Sequence, residues 1–397
     1  MTASSAAAAA AAPSVLPSAG FARAHGAPCP TVVLDGRALP GTDSQLLPVL
    51  AALRAEMTAR GAGHVLKNAI ISPSRHPLFD LDYRFVQSLP GAMDSFDLRG
   101  SCGHSILAAV EAAARSGMIQ PLVPGCRVRV NVLNNGDNVV CETEETSDGG
   151  TRFTAHFLCS PPKPLPGLLS VGEPVSHIAF DGRTVPVSLV SMGNPYIFVH
   201  AAELGAGSTE ALFADDPALF ERMLRLRLAV CETYGWDSAG AFPKIAALLP
   251  DGPEALAVRA VSVPSWHPTV ALTGAVCLGS AAEIEGTVPW RLASGADRAE
   301  GLLCLRTTRG PLRVAASIAG SGGDQRLSWV SVAEKQVDYQ GRFSAWESAP
   351  ESAPESAPES APPGTVPAAS GASAAPCSGP PMTSSPPEET PWLSLTV

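Results

Sequence analysis

Segments in which apolar and polar residues alternate run through the middle of the chain, from about residue 21 to about residue 345. Residues 79–85 and 126–132 alternate with a period of two, as half-buried strands do. Residues 134–137 predict a turn into a further strand that starts at Asn138. Because such strands follow one another through short turns, the pattern favours antiparallel hairpins over parallel strand–helix–strand units.

Two helices of different character interrupt these strands. Residues 105–118 combine a stripe of larger apolar side chains with alanines on the remaining faces, which is typical of a helix enclosed by a sheet. Residues 217–234 show an ordinary amphipathic pattern, and Asp216 is the expected N-cap.

The same scheme returns in the second half of the chain. Strands are predicted at 187–190, 196–200, 245–249, 257–263, 302–306 and 312–318. His267 and Pro268 are expected to open a second small-residue helix that runs to about residue 282, since proline is favoured at the first helical position. The sequence therefore predicts an α/β (α+β) fold of two pseudo-duplicated domains, each a rolled, mostly antiparallel sheet around a central helix.

Composition sets the predicted boundaries. Residues 1–20 are rich in Ala, Ser and Pro, and residues 344–397 contain four Glu-Ser-Ala-Pro repeats followed by Pro, Ser, Ala and Gly. Segments of this kind bury too little apolar area to offset chain entropy, so both are expected to be disordered, as a leader and a tail. The folded domains are then predicted at 21–183 and 184–343.

The charge balance limits the partners. The net charge is −10 and the pI is near 5.3, whereas phosphate binding needs clustered Lys and Arg, so nucleic acid is not an expected partner. No stretch reaches the about 18 apolar residues of a membrane span. The alanine-rich start lacks the basic residues of a signal peptide. We therefore expect a cytoplasmic protein with no membrane partner.

The cysteines and glycines argue against bound groups. The nine cysteines include no Cys-x-x-Cys pair and no tight Cys/His cluster, so no metal is expected. No glycine motif that would cradle phosphates is present, so NAD, ATP, flavin and other cofactors are not expected. Cysteines inside apolar runs are interpreted as reduced core residues; they are Cys141, Cys159, Cys277 and Cys304.

Cys102 differs from these because the run Gly-Ser-Cys-Gly-His at 100–104 places it just before the first small-residue helix. A thiol at a helix N-terminus sees the positive end of the macrodipole and unpaired N–H groups, which lower its pKa. The same N–H groups can hold a substrate carboxylate or a developing enolate. The alternative is a buried, inert cysteine.

Three other residues carry possible chemistry with a plain alternative for each. Lys67 starts an apolar run at 67–71, where partial desolvation would lower its pKa toward that of a useful base, unless it projects into solvent. His267 is either an acid, base or hydrogen-bond donor, or a packed capping residue. Asn194 either positions a ligand or only belongs to a turn.

Taken together, these motifs resemble the PrpF-like family of methylaconitate and oxalomesaconate isomerases, which is related in fold to diaminopimelate epimerase. The matching motifs keep their order from about residue 31 to about residue 332. They are Lys-Asn-Ala-Ile-Ile at 67–71, the strand at 80–85, Gly-Ser-Cys-Gly-His at 100–104, Gly-Asn-Pro at 193–195, Pro-Lys-Ile-Ala at 243–246, His267 with Thr-Gly-Ala-Val at 273–276, and Gly-Pro-Leu-Arg-Val at 310–314.

The resemblance implies a site in the cleft between two similar domains. It implies Cys102 and Lys67 as the catalytic pair that moves a proton across a three-carbon allylic unit beside a carboxylate, and it leaves open which of the two removes the proton. The substrate-binding residues predicted with them are Ser101, Gly103, His104, Asn194, His267 and Thr269. The expected partner is a small anionic carboxylate substrate, bound by a monomer or a homodimer.

Two stretches depart from the family pattern. Residues 24–30 stand where relatives have Arg-Gly-Gly-Thr-Ser-Lys-Gly, and residues 64–66 replace a Ser/Thr-rich run. Hydroxyl and cationic groups that would bind carboxylates are therefore missing from both. Either the substrate carries fewer carboxylates, or another part of the chain supplies the contacts.

The leading hypothesis is a cofactor-independent isomerase or tautomerase that moves a C=C bond by a 1,3-proton shift in an unsaturated carboxylate or keto acid. An epimerase or racemase is the second, although it usually needs two facing thiols and the second helix is expected to open with His267 and Pro268. The third is a non-catalytic ligand-binding member of the same fold.

Overall fold

The computed structural model describes residues 19–252, 255–262, 265–293 and 301–342. All of them belong to one compact unit, Met1–Ser352, while a second unit, Ala353–Val397, lies outside the described residues. The predicted tail at 344–397 also lies outside them. So does the predicted leader at 1–20, except for its last two residues, Ala19 and Gly20, which begin the first strand.

The first half of the described chain contains nine strands and two α-helices. They are β1 Ala19–Ala24, β2 Thr31–Asp35, α1 Asp43–Ala59, β3 Lys67–Pro73, β4 Leu81–Ser88, β5 Phe96–Asp97, α2 Gly103–Arg115, β6 Arg127–Val132, β7 Asn138–Thr146, β8 Gly150–Pro164 and β9 Ser176–Phe180.

The second half of the described chain contains eight strands and four α-helices. They are β10 Arg183–Met192, β11 Asn194–His200, α3 Thr209–Phe213, α4 Pro217–Tyr234, β12 Lys244–Pro250, β13 Ala255–Ser262, β14 Ser265–Trp266, α5 Leu272–Ala281, α6 Val288–Ala293, β15 Leu302–Thr307, β16 Gly310–Ala319 and β17 Arg326–Arg342.

The strand pairing occurs twice in the same order. In the first half β2 runs parallel to β3 and β4 runs parallel to β6, while the pairs β3–β4, β6–β7 and β7–β8 are antiparallel. In the second half β11 and β12 are parallel, as are β13 and β15, with antiparallel β12–β13, β15–β16 and β16–β17. The mostly antiparallel, pseudo-duplicated α/β fold is confirmed, whereas the boundary between 21–183 and 184–343 stays a prediction.

The long strand β17 joins the two sets of strands, because it pairs with β1 and β8 as well as with β16. The largest apolar core surrounds α2 and α5. Every residue of α5 is buried, as are the first eleven of α2, Gly103 to Ala113. Both helices are rich in alanine and other small residues, which lets strands pack closely around them.

The other long helices cover outer faces of the sheet. Helix α1 packs Leu46, Leu50 and Leu53 into a separate apolar cluster with β1 and β2. Helix α4 spans the range predicted for it, and the Asp216 carboxylate accepts a hydrogen bond from the Ala218 N–H, as an N-cap does. No helix within the described ranges is long and apolar enough to cross a membrane.

The predicted start of the second central helix is wrong. Helix α5 begins at Leu272 with Ala271 as its N-cap, five residues after His267. The His267 N–H instead donates to the Ala260 carbonyl at 2.9 Å, so the chain is still paired with β13 at this point. The residue before a proline is held in an extended conformation, and this effect outweighs the preference of Pro268 for a helix start.

Candidate active site

Cys102 is the N-cap residue of α2, in an extended conformation with φ −133° and ψ 105°. Its carbonyl accepts the Ile106 N–H at 2.9 Å, which closes the first helical turn, and also accepts the Tyr83 hydroxyl at 3.3 Å. The residue is only 9% exposed. The sequence prediction of a thiol at this helix N-terminus is therefore confirmed, and the thiol faces the interior.

The pKa of Cys102 is shifted against the effect of its burial. Burial alone would raise it, but the charges of Lys67 and Lys244 and hydrogen-bonding groups of Ser105 leave it below its ordinary value. Other buried thiols show the opposite result, since burial raises the pKa of Cys141, Cys159, Cys231 and Cys277. The burial of Cys141, Cys159, Cys277 and Cys304 confirms them as core residues.

Lys67 and Lys244 occupy equivalent places in the duplicated fold. Lys67 is the first residue of β3 and lies beside Thr31 in the parallel pair β2–β3. Lys244 is the first residue of β12 and lies beside Tyr196 in the parallel pair β11–β12. Lys67 is 6% exposed, and burial lowers the pKa of Lys244 to about 8. Two lysines thus approach the thiol from corresponding strands.

The loop that carries Lys244 is held from both sides. The buried Arg227 donates to the carbonyls of Pro243 at 2.8 Å and Gly240 at 2.7 Å. The Phe242 ring fills the place where a side chain at Gly100 would lie, 2.1 Å from the ideal Cβ position. The loop before Lys244 therefore packs directly against the segment that leads to Cys102.

His104 and His267 form a stacked pair beside the lysines, with ring centroids 5.7 Å apart and planes 17° apart. Burial is the main reason that the pKa of each ring lies well below its ordinary value, and nearby positive charges add to the shift. Both rings are therefore neutral near pH 7. The Nδ1 of His267 accepts the Thr269 N–H at 3.2 Å, which leaves its proton on Nε2. Both nitrogens of His104 are buried and have no partner within the described part of the protein.

Asn194 ties the two central helices together at their N-termini. Its Oδ1 accepts the Ser101 N–H at 3.1 Å, and its Nδ2 donates to the Ser101 carbonyl at 2.8 Å and to Thr273 Oγ1 at 3.0 Å. Both amide hydrogens are used in these bonds, so Asn194 orients the backbone next to Cys102. The hydroxyl of Ser101 is buried without a described partner.

Gly103 and Thr269 lie at contacts between the two halves. A Cβ at Gly103 would be 2.6 Å from Leu272 Cδ2, so glycine allows α2 and α5 to meet at their first turns. Thr269 Oγ1 donates to the Gly26 carbonyl at 3.3 Å and so contacts the turn between β1 and β2. Lys67, Cys102, His104 and His267 thus share one site, while Asn194, Gly103 and Thr269 hold its parts together.

Sequence reasoning gave no role to Lys244 or Lys335. Lys335 lies on β17 and is 9% exposed. Of the charges that lower the pKa of His104, that of Lys335 has the largest effect. One signal for both lies in the composition, since the chain contains four lysines, at 67, 163, 244 and 335. Three of the four converge on this site, where a lysine can exchange a proton and an arginine cannot.

The geometry has counterparts among known proteins. Residues 166–337 match the family model described as PrpF protein. The chain is 28% identical over 263 residues to 3-methylitaconate isomerase of Eubacterium barkeri, which covers 56% of this chain and 68% of that protein. A solved methylitaconate-delta-isomerase aligns with a TM-score of 0.60 and 22% identity, over 82% of this chain and 94% of the other.

A probable proline racemase from Agrobacterium radiobacter K84 shares the fold as well, with a TM-score of 0.57 and 16% identity, over 82% of this chain and 92% of the other. The structures define an isomerase and epimerase fold. The family match over residues 166–337 and the isomerase relative go further: the chain is similar to PrpF proteins, and it is an enzyme of the isomerase class.

Proposed function

We propose that the protein moves a carbon–carbon double bond by a 1,3-proton shift in a small unsaturated carboxylate or keto acid, without a cofactor. The observation that carries this proposal is the proximity of Cys102 to the buried Lys67 and the half-buried Lys244. Of the cysteines with a shifted pKa in the described chain, Cys102 alone has a lowered one, and Lys67 contributes the largest of the charge effects that lower it. A thiol and an amine that can exchange protons thus lie near one another at the N-terminus of α2.

The chemistry needs one group that removes a proton and one that returns a proton two carbons away. Removal of a proton next to the double bond gives a carbanion that is delocalised over three carbons and the adjoining carboxylate. Cys102 as thiolate and Lys67 as ammonium provide a base and an acid, and the roles exchange if the proton passes between them first. Positioned acid–base groups of this kind typically contribute about 10²–10⁴-fold to a rate.

The surroundings suit an anion whose charge grows during the reaction. Lys67, Lys244 and Lys335 contribute positive charge, and the neutral rings of His104 and His267 offer hydrogen bonds. The first turn of α2 directs N–H groups toward the same region. Preorganised donors shielded from bulk water stabilise a developing enolate better than water does.

An epimerase is the second candidate, because the probable proline racemase shares the fold. Epimerisation needs an acid or base on each face of one carbon. The position equivalent to Cys102 at the start of α5 is Ala271, which has no group to exchange a proton. This observation favours the double-bond shift over a two-thiol epimerase.

The test is conversion of a panel of unsaturated acids, including 3-methylitaconate, 2-methylaconitate and oxalomesaconate, followed by proton NMR. Cys102→Ser and Lys67→Ala should each lose about 10²-fold or more in turnover. Cys277→Ser is the matched control, since Cys277 is a buried thiol that donates to the Val190 carbonyl and lies on the other central helix. Equal activity in Cys102→Ser and in the wild type would refute the proposal.

A further inference from the structure

Two buried hydroxyl groups lie next to the start of α2. Thr31 Oγ1 is 2.8 Å from Ser105 Oγ, and either oxygen can be the donor of this hydrogen bond. Thr31 is 2% exposed and Ser105 is fully buried. Ser105 is the third residue of α2, and the side chain of an N-cap residue normally interacts with the third residue of its helix. The hydroxyl pair is therefore adjacent to the cap residue, Cys102.

The equivalent place in the second half of the fold holds different residues. Tyr196 corresponds to Thr31, because each lies beside the first residue of the next parallel strand. The third residue of α5 is Gly274, and a Cβ there would lie 2.5 Å from the Tyr196 hydroxyl. The N-cap of α5 is Ala271. The hydroxyl pair thus accompanies the helix start that has a thiol, whereas the start that has an alanine packs a tyrosine against a glycine.

The number of hydrogens limits the direction of the hydrogen bonds. Each hydroxyl has a single hydrogen to donate. If Thr31 donates to Ser105, the hydrogen of Ser105 is left for another acceptor, and both Tyr83 Oη and Cys102 Sγ are within its reach. The Tyr83 hydroxyl is neutral and donates its own hydrogen to the Cys102 carbonyl at 3.3 Å. A thiolate is the stronger acceptor of the two, because it is charged.

Ser105 approaches the Cys102 sulfur with both its N–H and its hydroxyl. Both groups help to lower the pKa of the thiol, although no cap hydrogen bond of standard geometry to the sulfur is closed within the described ranges. A neutral thiol sulfur is a weak acceptor, whereas hydrogen bonds to an ionised group are shorter and stronger. The contact with Ser105 therefore strengthens when Cys102 loses its proton.

We propose that Thr31 and Ser105 are positioning residues for Cys102: Thr31 donates its hydrogen to Ser105, and Ser105 donates its own to the Cys102 thiolate. The pair thereby keeps the sulfur in the ionised form that can remove a proton. This role rests on the proposed function only for the use that the protein makes of the thiolate. Neither hydroxyl is assigned a contact with the substrate.

The experiment measures the ionisation of Cys102 without turnover. The rate at which iodoacetamide alkylates Cys102 is followed by peptide mass spectrometry as a function of pH, and the midpoint of this curve reports the thiolate. Ser105→Ala removes the donor to the sulfur, Thr31→Val removes the donor to Ser105 and keeps its shape, and Thr31→Ser keeps the hydroxyl. Ser280→Ala is the matched control, because Ser280 is a buried hydroxyl on α5 that donates to the Val276 carbonyl at 2.9 Å.

Every variant leaves the titratable groups around Cys102 in place. They are Lys67 on β3, Tyr83 on β4, His104 on α2 and Lys244 on β12. A shift of the midpoint therefore reports the loss of a hydroxyl and not the loss of a neighbouring charge.

Ser105→Ala should raise the midpoint by about one unit, because a hydrogen bond to a charged group is lost. Thr31→Val should raise it by about half a unit, and Thr31→Ser should stay within about 0.2 units of the wild type, since only the hydroxyl matters. The double variant Thr31→Val, Ser105→Ala should shift no further than Ser105→Ala, because Thr31 acts only through Ser105. Ser280→Ala should keep the wild-type midpoint.

Three results would overturn the proposal. They are an unmoved midpoint in Ser105→Ala or in Thr31→Val, equal shifts in Thr31→Val and Thr31→Ser, and a double variant whose shift is the sum of the single ones. A changed limiting rate at high pH with an unmoved midpoint shows altered access to the thiol and counts as the first of these. If Ser105→Ala does not fold, the double variant replaces it, because it leaves neither hydroxyl unpaired.

Failure of the proposed function and failure of the hydroxyl pair are distinguishable. The expected midpoints would support the pair even if the protein isomerised no acid. Unmoved midpoints in a protein whose turnover depends on Cys102 would overturn the pair alone.

Discussion

At the scale of single residues, the site depends on where positive charge meets a buried thiol. Burial raises the pKa of Cys141 and Cys277, yet the pKa of Cys102 is lowered, because Lys67 and Lys244 stabilise the thiolate. Burial is the largest single effect on this thiol, but the two lysine charges and the hydrogen-bonding groups of Ser105 together outweigh it. The lowered pKa of Cys102 therefore depends on its lysine neighbours.

This account predicts how the alkylation of Cys102 depends on pH. In the wild-type protein the midpoint of the rate against pH should lie below that of an ordinary thiol, about 8.5. Lys67→Met should move the midpoint upward by about one unit, because a charge that favours the thiolate is removed. The Lys163→Met control should keep the wild-type midpoint. A midpoint that stays fixed in Lys67→Met would contradict the assignment of the lysine.

A second prediction concerns how much the buried, charged amine of Lys335 lowers the free energy of unfolding. Burial lowers its pKa from the ordinary 10.5 to about 8. Below pH 8 the folded protein must hold a buried charge, and above 10.5 the amine is neutral in both folded and unfolded states. This destabilisation of the folded state is therefore present at pH 7 and is lost as the pH rises from about 8 to 10.5.

Lys335→Met should accordingly be more stable than the wild-type protein at pH 7, by about 1–3 kcal/mol. The advantage should shrink between pH 8 and 10.5. Comparing the two proteins at each pH cancels the titration of the buried thiols and tyrosines. Urea unfolding at about pH 7, 8.5 and 10 measures the difference in the free energy of unfolding between the two proteins. If the stability advantage of Lys335→Met grew as the pH rose, the prediction would be contradicted.

At the scale of elements, the site depends on two helices that meet at their first turns. Gly103 at the start of α2 touches Leu272 at the start of α5. The Asn194 amide bridges the same two segments through Ser101 and Thr273. Each contact fixes the backbone beside Cys102 relative to the opposite half of the protein.

Gly103→Ala tests this contact. Its Cβ would lie 2.6 Å from Leu272 Cδ2 and 2.9 Å from Leu272 Cβ, so α2 and α5 must separate. Overpacking of this kind costs about 1–3 kcal/mol of stability, and turnover should fall because Cys102 moves with its helix. Gly20→Ala is the control, since its Cβ would meet no neighbour closer than 3.5 Å. Thermal unfolding and turnover of both variants should separate them, and wild-type behaviour of Gly103→Ala would count against the close contact.

Local sequence patterns were sufficient to predict those strands and helices whose periodicity and capping residues lie within a few positions of one another. The strands at 196–200 and 302–306 and helix α4 with its Asp216 cap follow from periodicity and capping chemistry. Helix α1 gave no comparable signal, since Pro48 lies inside it. The start of α5 was misplaced because His267 remains tied to Ala260 by a backbone hydrogen bond that no local pattern reveals.

At the scale of the whole molecule, the site is assembled from residues distant in sequence. Cys102 and Lys67 were predictable from their local runs and from the family resemblance. Lys244 was not, because its proximity to Cys102 depends on the fold repeating the position of Lys67 on β12. Lys335 was not either, because a bulge at Glu334 decides which of two neighbouring residues faces inward.

The duplicated fold brings both central helices, two equivalent strand starts and one bulged strand to the same place. The net charge of the chain is −10, yet three of its four lysines point to this interior. That concentration of positive charge accords with an anionic substrate, and the lowered pKa of Cys102 accords with proton transfer. The central claim is that Cys102 and Lys67 together move a proton between two carbons.

Proton NMR of a substrate turned over in heavy water tests this claim most directly. Deuterium should enter at both ends of the three-carbon unit as the double bond moves, and incorporation should disappear in Cys102→Ser and in Lys67→Ala while Cys277→Ser retains it. Double-bond migration that continues in Cys102→Ser, or exchange at a single carbon without migration, would contradict the proton shift assigned to this pair.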